Sequence, residues 1–156
     1  MGTDLPPMEE TGPTVSEDDV RAFEAQLGTA LPEDYRAFVL GPNGGRTAST
    51  HDAFRAGRAG QVTLNDLFGL HDPNPGCQLE EGTPYWVPKE LIAIGSASGG
   101  MVALCIRGEH RGSVWYLDTL DARPDDANPR VQWHDRHDYI KVADSFGAFM
   151  AGLGPS

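Results

Sequence analysis

Five consecutive residues, His134-Asp135-Arg136-His137-Asp138, gather two imidazoles and two carboxylates, side chains that bind divalent metals or move protons near neutral pH. A metal needs lone pairs that converge on one point, and histidines three residues apart converge only on a helix. Val131, Trp133, Tyr139 and Ile140 flank the run and favour strand-turn-strand, so it reads as a solvated polar turn that binds no metal. Gly95-Ser96-Ala97-Ser98-Gly99 has the outline of a nucleophile elbow. An elbow needs serine at the centre of Gly-x-Ser-x-Gly with a helix after it, whereas here alanine is central and an apolar, strand-like run follows. Gly41 to Gly45 follows a helix rather than preceding one, and no Gly-Lys-Ser/Thr is present, so helix termination replaces a phosphate cradle. Cys77 and Cys105 form no CxxC pair, which supports neither zinc nor a disulfide scaffold. The expectation is therefore no catalytic residue, no cofactor and no metal ligand. A small hydrolase would need at least two of these His, Asp and Ser side chains to converge in a concave pocket.

The elements that carry these residues can be read from spacing. Residues 1 to 13, with Pro6, Pro7 and Pro13, read as a flexible leader, and residues 14–156 as one domain. Ser16 is an N-cap with Asp19 as its capping-box partner. Val20, Phe23 and Leu27 form one helical face, and Gly28 is the expected C-cap. A second helix starts with Pro32 at its first position, aligns Tyr35, Phe38 and Val39, and stops at Gly41-Pro42-Asn43-Gly44-Gly45. Residues 46 to 60 and 71 to 84 read as long loops on either side of a strand at Gln61-Val62-Thr63-Leu64. Strands are expected at Leu91 to Ile94, Met101 to Ile106 and Ser113 to Asp118, with turns at Gly95 to Gly100 and Gly108 to Gly112. The apolar run from Met101 predicts a strand covered on both faces. An acidic loop at 119–130, strands at Val131 to His134 and Tyr139 to Val142, and a helix from Asp144-Ser145 with Phe146, Phe149, Met150 and Leu153 complete the chain.

Composition narrows the function. A chain of 156 residues with 19 glycines and 12 prolines suits one mixed, turn-rich domain. Twenty-three acids against twelve Lys and Arg leave a net charge of −11, which repels phosphate backbones and anionic headgroups. Nucleic-acid and membrane partners are disfavoured, while a basic protein partner would be attracted. The acid concentrates at the front: nine carboxylates in residues 1 to 35 face only Arg21. With no signal-peptide pattern and no long apolar run, the expected location is the cytoplasm. Trp86, Trp115, Tyr116 and Trp133 are either core or interface anchors.

Three blocks in order resemble the SUKH superfamily: Leu31 to Gly45 with its preceding helix, Trp86-Val87-Pro88-Lys89-Glu90 through the hairpin ending Trp115-Tyr116-Leu117-Asp118, and Val142-Ala143-Asp144-Ser145-Phe146 with Phe149 and Leu153. The turn Ser96-Ala97-Ser98-Gly99-Gly100 lacks the carboxylate often found there in relatives, so no role of that acid carries over. The resemblance implies an α+β fold, with a curved, mostly antiparallel sheet packed against N-terminal and C-terminal helices. It also implies a binding protein rather than an enzyme, since bacterial members are mostly immunity proteins against secreted toxins and the founding fungal members regulate the cell wall. The expected partner is a basic toxin domain encoded nearby, met through Glu17, Asp18, Asp19, Trp86 and Trp133 and the two long loops. The alternative is a general interaction or regulatory module with no toxin partner.

Overall fold

The computed structural model describes residues 5–120 and 130–156. It is an α+β domain in which an eight-stranded antiparallel sheet carries three helices. The strands are β1 (Met8–Thr11), β2 (Gly45–Thr47), β3 (Ala53–Arg55), β4 (Gln61–Leu67), β5 (Leu91–Ala97), β6 (Gly100–Cys105), β7 (Val114–Asp118) and β8 (Tyr139–Ala143). Their order is β1-β2-β4-β5-β6-β7-β8, with β3 paired to the first half of β4. The helices are α1 (Glu17–Leu27), α2 (Glu33–Leu40) and α3 (Phe146–Ala151).

Helix boundaries follow their caps. Ser16 Oγ accepts the Asp19 amide at 3.1 Å while the Asp19 carboxylate accepts the Ser16 amide at 2.8 Å, a complete capping box. Gly28 closes α1 in the left-handed region, with its amide on the Glu24 carbonyl. Pro32 sits one residue earlier than expected, as the N-cap of α2, where its missing amide hydrogen is equally harmless. After α2 the chain needs three successive positive φ values, 52° at Asn43, 89° at Gly44 and 102° at Gly45. A β-carbon on Gly45 would lie 2.1 Å from the Glu10 carbonyl oxygen, so glycine there lets β2 approach β1. Asn43 is wholly buried and ties this turn to its neighbours, donating to the Pro13 and Leu70 carbonyls and accepting the Leu70 amide, each at 2.8 Å.

The strand pairs place alternate side chains on opposite faces of the sheet. Ile92 and Ile94, Val102 and Leu104, and Val114 and Tyr116 point to the face closed by the helices. There Phe146 of α3 meets Tyr35 and Phe38 of α2 at ring-centroid distances of 4.9 and 5.0 Å. Leu91, Ala103, Cys105, Trp115, Leu117 and Tyr139 point to the other face, where Val87 and Trp133 join them. β6 is thus covered on both sides, as its unbroken apolar run predicts.

Several expectations change. Met8–Thr11, expected in the leader, is the edge strand β1, held by pairing Met8 with Thr47 and Thr11 with Gly45. Residues 46 to 60 are not a loop: β2, β3 and two single 3-10 turns (Ser49–His51 and Gly57–Ala59) occupy them. Strands of three residues are too short to display a period; β3 is held by pairing with β4, and Ala53 and Gly154 also exchange amide–carbonyl hydrogen bonds. Val131 to His134 is not a strand; Trp133–Asp135 forms a 3-10 turn that drives the Trp133 ring inward. The turn at Gly95 to Gly100 shrinks to Ser98-Gly99, because β5 runs on to Ala97. The acidic loop at 119–130 falls largely outside the described residues, as do residues 1 to 4.

Candidate partner-binding surface

Among the described residues, the face of the sheet that α1, α2 and α3 do not cover is closed by the segment before β5 and by the turn before β8. Between them lies a cleft of about 390 Å³ with Leu117 and Tyr139 among its apolar lining and Trp86 on it. Trp86 is 44% exposed, and Tyr85, its neighbour in sequence, is 99% exposed. The polar lining is organised. Arg136 donates to both oxygens of Asp138, Nε to Oδ1 at 3.0 Å and a terminal nitrogen to Oδ2 at 2.9 Å. Its guanidinium also lies 4.5 Å from the centre of the Tyr139 ring. Asp118 completes the lining, with Arg58 at 3.9 Å from its carboxylate. An apolar floor, a half-exposed tryptophan and a fixed Arg–Asp pair are the materials of a protein-binding pocket.

Sequence-chosen contact residues divide between two regions. Trp86 lies at the cleft. Trp133 is 8% exposed and packs edge to face on Trp115 at 4.8 Å, supporting the cleft wall from inside. Glu17, Asp18 and Asp19 sit on the helix-bearing face, each with an intramolecular partner. Glu17 pairs with Arg36 at 2.6 Å and raises its pKa, the Glu24 carboxylate adding to the effect. Asp18 pairs with Arg21 at 3.1 Å on the surface. Asp19 is held below the usual carboxylate range by the Ser16 amide and then by the Ser16 hydroxyl. These acids therefore build the helix start as well as the negative potential.

The other chemistry-bearing residues are placed as follows. Ser98 Oγ accepts the Thr63 amide at 3.0 Å and Tyr116 donates to the Ser98 carbonyl at 2.7 Å, so that turn fastens the β5–β6 hairpin to β4 and β7. Burial pushes the Cys105 thiol up, and burial with Asp66 and Asp72 nearby does the same to Cys77, the opposite of an activated thiolate. His134 and His137 do not pair with each other. His134 instead faces His110 of the β6–β7 loop, with ring centroids 4.5 Å apart and Glu109 beside them. The sequence reading missed Arg136 and Asp138 as cleft residues. Among the described residues, no helix is long and apolar enough to cross a membrane.

A family model described as the SMI1 / KNR4 family (SUKH-1) matches residues 14–152. No curated protein matches the chain.

Proposed function

We propose that this chain, which belongs to the SMI1 / KNR4 family (SUKH-1), is an immunity protein that binds and neutralises a cognate secreted bacterial toxin by stoichiometric contact. The observation that carries the reading is the cleft beneath Trp86, an apolar socket with an Arg136–Asp138 rim on a protein of net charge −11. An aromatic or aliphatic side chain of the partner fills the socket and excludes water. Basic side chains around it meet Asp118 and the surrounding negative potential. The partner is a basic toxin domain encoded nearby, met in the cytoplasm of the producing cell. Inhibition comes from covering the toxin's working surface, so the immunity protein itself makes and breaks no bond.

The test is to co-express the chain with the toxin domain encoded beside its gene. Survival of the cells and a one-to-one complex on gel filtration are expected. Absence of both binding and rescue rejects the reading. Capture of housekeeping proteins, with no toxin gene adjacent, replaces it with a regulatory interaction module of the same fold.

A further inference from the structure

We propose that Glu109, His110 and His134 form a binding site for a divalent cation of the zinc class, separate from the Trp86 cleft. Each of the three offers one ligand atom, and these atoms lie within 4.8 Å of one another. Two imidazoles and a carboxylate are the donor set that such cations take, with the fourth position left to water. Ligands about 2.1 Å from a tetrahedral ion stand about 3.4 Å apart, so the group must contract slightly to close on it. Glu109 Oε1 already stands 3.5 Å from His110 Nε2, close to that spacing, and its side chain is 79% exposed.

The holding is specific. His110 sits in the β6–β7 loop, where its carbonyl accepts both the amide and the hydroxyl of Ser113. That hydroxyl in turn accepts the Trp115 indole at 2.8 Å. The His110 ring is packed edge-on against Trp115 and Trp133, at 5.9 and 5.6 Å. His134 is placed by the 3-10 turn Trp133–Asp135, and Asp135 Oδ1 lies 3.5 Å from His134 Nδ1, as a carboxylate that steadies a ligand ring would.

Two observations point to a ligand rather than to packing alone. The His110 side chain is 30% exposed, but its Nε2 atom is buried and makes no hydrogen bond, with Glu109 Oε1 at 3.5 Å. A buried ring nitrogen left without a partner is disfavoured unless something fills the gap. The group also borders a cavity of about 170 Å³, room for an ion and several waters. Glu90 lines the same cavity and, with Glu109, outweighs the single positive charge of Arg107, whose terminal nitrogen is drawn away to the Leu27 carbonyl at 2.5 Å.

The experiment titrates chelator-treated, untagged full chain with Zn²⁺ by calorimetry and with Co²⁺ by visible absorption, both in a Cys77→Ser background to remove the accessible thiol. One equivalent per chain is expected, with tryptophan emission changing because Trp115 and Trp133 border the site. Glu109→Gln, at an exposed side chain, should weaken binding at least tenfold. His134→Gln should abolish saturable binding, and His137→Ala and His71→Ala should change nothing. Circular dichroism of each variant checks folding, and if His134→Gln unfolds, Glu109→Gln and the Co²⁺ spectrum decide. No saturable binding, binding indifferent to Glu109→Gln, or binding lost with His137→Ala would overturn the proposal.

Discussion

The two faces of the central sheet are closed by different means, one by helices and the other by irregular segments. On one face α1, α2 and α3 lay a continuous apolar layer over Ile92, Ile94, Val102, Leu104 and Tyr116, with Phe146 clasped by Tyr35 and Phe38. Each helix start there is fixed by a side-chain cap or a proline, which satisfies or removes the amides that would otherwise lack partners. On the other face irregular segments cover Leu91, Trp115 and Leu117, and they carry polar groups into the cover: the Arg136–Asp138 pair and the His110–His134 pair. Irregular cover can change sequence without disturbing helix packing, so this is the face on which a family could vary its partners.

The largest effect that could break this comparison comes from the helix face. Phe146→Ala should lower unfolding free energy by about 3–5 kcal/mol in a urea titration, because it empties the centre of the aromatic layer. Should the loss be under about 1 kcal/mol, the helix face is not the stabilising one.

Trp86→Ala sharpens the contrast from the other side. Little change in the urea midpoint is expected, but affinity for the partner should fall by about 2 kcal/mol or more, roughly thirtyfold. Equal losses in both measurements would make Trp86 a folding residue.

Next in size is Asp138→Asn, which leaves the Arg136 guanidinium with a weaker, neutral acceptor. It should reduce stability by about 1–3 kcal/mol and loosen the cleft rim, read as faster dissociation of the complex by surface plasmon resonance.

The smallest effects lie at the start of α1. Ser16→Ala removes the cap and should reduce stability by about 1 kcal/mol without touching the cleft. Asp19 has its pKa depressed in the folded state, so its contribution is present above the ordinary carboxylate value, about 3.9. That contribution is lost as pH falls through the lower folded value. Asp19→Asn should therefore flatten the acid limb of the stability curve below about pH 4 and leave neutral pH kinetics of association little altered. Reversing Glu17, Asp18 and Asp19 together should slow association at low salt only, since their potential acts at a distance.

Much of the helix face was legible from residue spacing. The Ser16 cap, the Gly28 stop, the Tyr35-Phe38-Val39 stripe and the Asn43-Gly44-Gly45 turn each rest on interactions within a few residues. The loop face was harder to read. Trp133 looks like part of a strand until a 3-10 turn buries it, and the three-residue β3 is too short to show a period, its Ala53 also bridging to Gly154 a hundred residues later. The His134-Asp135-Arg136-His137-Asp138 run was legible as a polar turn, yet its histidine found a partner in another loop.

Local chemistry in the chain alone thus determined where helices begin and end, which strands alternate, the negative charge and the family. Tertiary structure decided which face of the sheet lacks helices, that Trp86 overhangs a cleft, and that His110 meets His134. The physical reason is range. Caps, turns and periodicity are set by neighbours along the backbone, whereas the sides of a pocket come from segments that only strand pairing draws together.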